Sequence, residues 1–163
     1  MKTKSDFLAV LLNDYRNCCV FLHNTKEKEI AEKILREGFI FENQLSHSTD
    51  RVNAGEPIEI AYFLFQRKDY GIYSIIIAIP KAIYDLYLQY SIDYEIDIED
   101  VITITQPRLS ENDEFLYTIS PKHIPGYFNT QTGEFIKNPD YDALYNNWLN
   151  MAGRDKSFRK TIS

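Results

Sequence analysis

Cysteine, glycine, proline and tryptophan are all scarce in this chain. Its 163 residues include two cysteines, six glycines, six prolines and one tryptophan. The cysteines, Cys18 and Cys19, are adjacent, and neighbouring residues of a strand point to opposite faces, so a disulfide between them is not expected. Free buried thiols are typical of a reducing compartment, and we therefore expect a soluble, cytoplasmic protein.

The few glycines are scattered, and this excludes the common phosphate-binding loops. Neither G-x-G-x-x-G nor G-K-[ST] occurs, and there is no G-x-S-x-G elbow for a nucleophilic serine. The three histidines, His23, His47 and His123, lie far apart in the sequence, without a His-x-x-x-His or Cys-x-x-Cys pair. The sequence therefore supports no metal site.

Long apolar runs and a basic charge excess are also missing. The stretch "FLAVLL" near the start is too short to span a bilayer, so no membrane partner is expected. The formal net charge is −6. A dedicated duplex-binding surface normally carries a basic field, so this charge argues against one.

Apolar and aromatic residues are plentiful. Apolar residues make up 44% of the chain and charged residues 26%, which is an ordinary balance for one globular domain over residues 1–163. Aromatic residues reach 14%, with twelve tyrosines and ten phenylalanines, and this favours a sheet-rich core with ring-lined clefts.

Apolar periodicity and turn signals predict the element order α-β-α-β-β-β-α-β-β-β-β-α. Helices are expected over residues 5–15, 26–37 with Thr25 as the N-cap, 81–91 after Pro80, and 140–152 with Asp140 as the cap. Strands are expected over 17–23, 39–42, 58–67, 72–79, 101–105, 114–120, 123–129 and 134–138, with a loop over 43–57 and a basic tail over 153–163. This order predicts an α+β domain with a mostly antiparallel sheet that is bent or split.

Three segments resemble the ADP-ribosyltransferase clan of poly-ADP-ribose polymerases and diphtheria toxin. "FLHNT…AEKILREGF" is similar to the clan's opening strand, which ends in a histidine, and the helix that follows. "EFLYTISPKHIPGYF" is similar to the later strand that begins with the catalytic glutamate. The middle, "PIEIAYFLFQRKDYGIYSIIIAIP", loosely resembles the DNA-modifying DarT toxins. The resemblance covers about residues 18–128.

The resemblance implies an ADP-ribosyltransferase-like fold and NAD as co-substrate. His23 would hydrogen-bond a ribose of NAD, the backbone of Asn24 would face the nicotinamide amide, and Thr25 would complete this edge of the pocket. Glu114 would be the catalytic carboxylate, since cleavage of the nicotinamide–ribose bond builds positive charge on the sugar.

The middle of the chain supplies the other candidates. Tyr62 would stack on the nicotinamide ring, with Tyr70 as the rival for that role, because a flat ring favours a cationic partner. Arg67 would neutralise the pyrophosphate. The segment "SHSTD" offers further pocket-lining residues: His47, Ser48 and Thr49.

Ordinary structural roles compete with each of these assignments. His23 could be a buried, satisfied histidine, Tyr62 a packing or surface ring, and Glu114 a solvated loop carboxylate crowded by acidic neighbours. Arg67 could be a solvated strand end, and residues 47–49 could serve a polar turn.

The leading expectation is an NAD-dependent ADP-ribosyltransferase that acts on an unidentified macromolecule, either protein or nucleic acid. One alternative is a non-catalytic module on the same fold that binds NAD, an ADP-ribose-like nucleotide or a protein. Others are an RNA 2′-phosphotransferase and an interaction protein with an exposed aromatic surface.

Overall fold

Helices and strands alternate along most of the chain. The computed structural model describes residues 4–42, 44–104, 108–109 and 115–145. Helices α1 to α5 span Lys4–Asn13, Lys28–Glu37, Pro57–Arg67, Lys81–Tyr94 and Ile98–Ile104. Strands β1 to β8 span Cys18–Thr25, Phe39–Phe41, Asp50–Val52, Tyr73–Pro80, Arg108–Leu109, Phe115–Ile119, Gly126–Asn129 and Phe135–Lys137.

The described strands form two sheets. The larger sheet has the order β3-β1-β4-β7-β8 and the smaller one the order β2-β6-β5. Within each sheet, neighbouring strands pair in antiparallel orientation. The prediction of a mixed α+β domain with a split, antiparallel sheet is therefore confirmed.

Strand β4 lies at the centre of the larger sheet and divides the core into two parts. Ile75, Ile77 and Ile79 belong to one buried cluster, which includes residues of α2, α4 and α5. Ile76 and Ala78 belong to the other, which includes residues of α1 and α3. Since successive residues of a strand point to opposite faces, a strand covered on both sides must be apolar nearly throughout. The prediction that "IYSIIIAI" is central is confirmed.

Two predicted strands are helical, and these predictions are wrong. Residues 58–67 lie in α3, which Pro57 opens and which buries Ile60 and Phe63 three positions apart. Pro is favoured in a first turn because its missing N–H has no partner there in any case. Residues 101–104 lie in α5, where Val101 and Ile102 are buried in the core. Tertiary packing overrides the β-propensity of these branched side chains.

Several boundaries also differ from the predictions. Thr25 is not the N-cap of α2: it is the last residue of β1, and Glu27 takes the cap position. Gly38, with a φ of 97°, ends α2 as predicted, in a conformation that glycine adopts at little cost. The loop predicted over 43–57 contains β3 and the first residue of α3.

The predicted closing helix over 140–152 is wrong for the part that the structure describes. Residues 140–145 form turns, in which Tyr141 N–H bonds Asn138 O and Tyr145 N–H bonds Asp142 O. The buried Asn138 holds this segment, because its Nδ2 donates to the carbonyls of Leu35, Pro121 and Ile124. Residues 146–152 and the basic tail lie outside the described residues.

Cys18 and Cys19 are both free, as predicted, and they contact the two different core clusters. Within the described residues, no helix is both long enough and apolar enough to cross a membrane.

Candidate functional site

A cavity of about 330 Å³ opens at the end of β1, where β3 begins and α3 ends. We call it the β1 pocket. Seven residues singled out in the sequence line it: His23, Asn24, His47, Ser48, Thr49, Arg67 and Tyr70. They come from three chain segments that lie far apart in the sequence, so only folding brings them together.

His23 is held by a backbone carbonyl. Its Nδ1 lies 2.6 Å from the carbonyl oxygen of Ser48. A carbonyl can only accept, so Nδ1 carries the hydrogen. Burial lowers the pKa of His23, and the bond to Ser48 offsets part of this shift. The imidazole is therefore neutral near pH 7, and its Nε2 presents a lone pair that can accept a hydrogen bond from a ligand hydroxyl.

The ring of His23 packs on Phe39 of β2, with 4.8 Å between the ring centroids. This contact fixes the ring plane, and it connects the β1 pocket to the smaller sheet, in which Phe39 pairs with Ile119 of β6. His23 is thus positioned by three elements: its own strand, the loop before β3, and β2.

Backbone groups of β1 are available at this edge of the sheet. The pairing between β1 and β3 ends at Leu22 and Asp50. Beyond that point, His23, Asn24 and Thr25 pair only with β4 among the described strands. An edge of this kind can bind an amide group in the way that a neighbouring strand would.

The side chain of Asn24 makes a hydrogen bond inside the protein through each of its two polar atoms. Its Nδ2 donates to Gly71 O at 3.1 Å, and its Oδ1 accepts from Ser74 Oγ at 3.1 Å. Asn24 lines the β1 pocket, and the resemblance assigns the ligand contact to its backbone. Thr25 is buried at the end of the strand and does not line the β1 pocket.

Gly71 packs unusually tightly on this end of β1. A Cβ at Gly71 would lie 2.0 Å from the carbonyl carbon of Thr25, and its φ is 139°. Only glycine permits this approach at such a φ. The contact places the end of α3 and Tyr70 against β1, and so closes one side of the β1 pocket.

The segment before β3 forms the opposite wall. Residues Leu45–His47 make a short 3-10 turn. Thr49 is buried, and its Oγ1 donates to Leu45 O at 2.9 Å, so its hydroxyl is used within the turn. His47 is exposed at the rim, and Ser48 contributes the carbonyl that holds His23.

Arg67 is paired with a carboxylate at the mouth of the β1 pocket. Its Nε and Nη2 donate to the two carboxylate oxygens of Asp50 at 2.8 and 2.9 Å. Its guanidinium also lies 5.3 Å from the centre of the Tyr70 ring. The three side chains form a connected group at the mouth of the pocket.

Tyr62 lies outside the β1 pocket. The sequence predicted a strand here, but Tyr62 is on α3, is 62% exposed, and its hydroxyl accepts a hydrogen bond from Gln66. The helical period turns Phe63 toward the pocket instead. Of the two tyrosines considered, Tyr70 is therefore the one that lines the cavity. The catalytic candidate Glu114 lies outside the described residues.

Sequence reasoning did not select four residues that line the cavity: Leu22, Ser46, Asp50 and Phe63. Phe63 could have been found from the helical signal of Pro57 followed by Ile60, Phe63 and Leu64. Asp50 gave no local signal, because its importance comes from an arginine seventeen residues later.

A second, more apolar cavity of about 270 Å³ adjoins the β1 pocket. The two share His23 and Ser48, and the second is walled by Ile34, Phe39 and Ile40. Ligand cavities in proteins range from about 300 to 1,000 Å³. The β1 pocket lies at the lower end of this range, and the adjoining cavity extends the space available.

No protein-family model, curated protein or solved structure matches this chain. Among the described residues, no three His, Cys, Asp or Glu side chains converge as a metal site. The candidate function therefore depends on the β1 pocket and on the three segments of sequence that resemble the ADP-ribosyltransferase clan.

Proposed function

We propose that this chain is an NAD-dependent ADP-ribosyltransferase with an ADP-ribosyltransferase-like fold. It transfers ADP-ribose from NAD to a macromolecular acceptor, a protein or a nucleic acid, and releases nicotinamide. The observation that carries the proposal is the hydrogen bond between His23 Nδ1 and Ser48 O. It leaves Nε2 of a neutral histidine as an acceptor beside the free edge of β1.

The recognition step follows from these groups. Nε2 of His23 accepts a hydrogen bond from a ribose hydroxyl, while backbone groups of Asn24 bind the carboxamide of nicotinamide. Tyr70 offers an aromatic face at the pocket mouth, and such a face favours the cationic nicotinamide ring. These contacts fix the ribose next to nicotinamide, the part of NAD that reacts.

The chemical step is a substitution at the ribose. The bond between ribose C1′ and the nicotinamide nitrogen breaks, and its electron pair leaves with neutral nicotinamide. An acceptor oxygen or nitrogen attacks C1′ and then loses its proton. Positive charge develops on the sugar, and a carboxylate stabilises it; we assign this role to Glu114.

One observation favours the non-catalytic binding module as the second candidate. The only carboxylate that lines the β1 pocket within the described residues is that of Asp50, and it is occupied by Arg67. A pocket with His23 and the free edge of β1, but without an available carboxylate, would bind NAD and leave it intact.

Nicotinamide release from NAD tests the proposal. The wild type, Glu114→Gln, His23→Ala and the control Glu134→Gln are compared; Glu134 is exposed in the turn before β8. We expect the release rate to fall by about a hundredfold or more in Glu114→Gln, the usual effect of removing one electrostatic stabiliser, and to stay unchanged in the control.

Calorimetric titration with NAD separates the two candidates. Saturable NAD binding that is lost in His23→Ala, without nicotinamide release by the wild type, would support the binding module. Absence of both binding and release would contradict both functions.

A further inference from the structure

We propose that a further cavity, distinct from the two described above and located at the other end of β3, is a binding site for a phosphoryl group. This cavity has a volume of about 380 Å³ and is lined by Arg16, Arg51 and Lys81, together with Cys18 and Cys19. We call it the Arg51 pocket. The inference goes beyond the proposed function, because it concerns a different cavity and requires no NAD cleavage.

Among the described residues, the three cations of the Arg51 pocket are not held in ion pairs. Arg16, Arg51 and Lys81 form no ion pair with a described carboxylate, whereas Arg67 at the β1 pocket does. One carboxylate, Glu59, also lines the cavity, and it accepts the N–H of Asn53. The lining of the cavity thus has three cations and one carboxylate, and Asp85 lies near enough to Cys19 to raise the pKa of that thiol.

Arg51 is held in place by neutral groups. Its Nη2 donates to Cys19 Sγ at 3.3 Å, and its guanidinium carbon lies 5.4 Å from the ring centre of Tyr84 and 6.0 Å from that of Phe21. A guanidinium has five N–H donors, so most of them remain for a ligand. A positioned guanidinium with unused donors is suited to the paired oxygens of a phosphoryl group.

The position of the cavity brings it close to the β1 pocket. Asp50 lines the β1 pocket, and the next two residues, Arg51 and Val52, line the Arg51 pocket. A strand rises about 3.3 Å per residue, so roughly 7 Å separates the ends of β3. The phosphoryl group could therefore belong to NAD itself or to a separate phosphorylated ligand.

Protection of Cys18 from alkylation provides a local readout. Cys18 is partly exposed in the cavity, whereas Cys19 is 4% exposed. The rate of labelling by neutral iodoacetamide is measured by peptide mass spectrometry with pyrophosphate, with inorganic phosphate, or with sodium chloride at equal ionic strength. We expect saturating pyrophosphate to slow the labelling of Cys18 about tenfold or more and to raise the melting temperature.

Variants of the three cations test the site. Arg16→Gln, Arg51→Gln and Lys81→Gln should each weaken the apparent affinity for pyrophosphate about tenfold, the scale of one charge-assisted contact. Lys137→Gln on β8 is the matched control, since Lys137 is equally exposed but lies outside the cavity. Arg51→Lys retains the charge but not the forked donors, and should show an intermediate loss.

The outcomes separate the two sources of the phosphoryl group. Protection by NAD as well as by pyrophosphate would mean that the dinucleotide reaches this cavity, and protection by pyrophosphate alone would indicate a separate ligand. Equal labelling in pyrophosphate and in sodium chloride, with no thermal shift, would overturn the inference. The inference would also be overturned if Lys137→Gln lost as much protection as the Arg16, Arg51 and Lys81 variants. Nicotinamide release is assayed independently, so failure of either proposal leaves the other intact.

Discussion

The carbonyl oxygen of Ser48 accepts a hydrogen bond from Nδ1 of His23, across 25 residues of sequence and 2.6 Å of space. This contact determines which nitrogen of His23 carries the hydrogen, and therefore what the β1 pocket offers to a ligand. It also joins the loop before β3 to the end of β1, so the wall of the pocket and its histidine are positioned together.

The tautomer of His23 is the first testable consequence. Because Ser48 O can only accept, we expect Nδ1 to be protonated and Nε2 to be bare at neutral pH. Long-range ¹H–¹⁵N NMR on histidine-labelled protein should show one unprotonated ring nitrogen for His23, assigned as Nε2 by comparison with His23→Gln. Because burial lowers the pKa of His23, this signal should persist below the pH at which an ordinary histidine takes up a proton. A protonated Nε2 at neutral pH would contradict this geometry.

Because of the buried His123, we expect the free energy of unfolding to decrease in acid. It is fully buried, its Nε2 lies 3.0 Å from the Tyr87 hydroxyl, and burial lowers its pKa to about 4, although the nearby Asp142 acts in the opposite direction. The unfolded chain binds a proton near pH 6.5 and the folded chain only near pH 4. The stabilisation is therefore complete above about pH 6.5 and is lost as the pH falls toward 4.

Urea unfolding at several pH values measures this effect. The contribution of His123 to the free energy of unfolding should fall by about 2–3 kcal/mol between about pH 7.5 and about pH 4.5. His123→Gln should show a correspondingly smaller decrease over the same range, whatever its absolute stability. His47→Gln is the control, because His47 is exposed. Equal slopes for the wild type and His123→Gln would refute the assignment.

Gly71 should not tolerate a side chain. In Gly71→Ala the new Cβ meets the backbone of Thr25 at a φ that alanine rarely adopts, so we expect a loss of about 2–3 kcal/mol in the free energy of unfolding. Gly55→Ala is the matched control: its nearest neighbour would be 3.7 Å away, and the change should stay within about 0.5 kcal/mol. Similar losses in both variants would show that the close approach to β1 is not what requires glycine.

The ion pair between Asp50 and Arg67 should contribute little to stability. Both side chains are more than a third exposed, at 37% and 35%, and pairs of this kind contribute about 0–1 kcal/mol. A double-mutant cycle with Asp50→Asn and Arg67→Gln should therefore give a coupling energy below about 1 kcal/mol. A much larger coupling would mean that the pair supports the fold rather than the shape of the pocket mouth.

Some of this architecture follows from sequence alone. The unbroken apolar run at Ile75–Ile79 predicts a central strand, because only a strand covered on both faces needs apolar residues at every position. Gly38 marks the end of α2, and "TQTG" between two apolar segments marks the hairpin of β7 and β8, which pair as predicted. These features are local, so the residues that produce them lie next to one another in the chain.

Other features were decided by tertiary structure. Residues 58–67 alternate like a strand and residues 101–104 are rich in branched side chains, yet both are helical, because a helix buries Ile60 with Phe63 in one case and Val101 with Ile102 in the other. The same holds for the candidate site. The sequence identified His23, Ser48 and Tyr70 as separate candidates, but their meeting in one cavity depends on contacts across 25 and more residues. Local propensity does not specify such contacts, because they depend on how the packed elements place the loops between them.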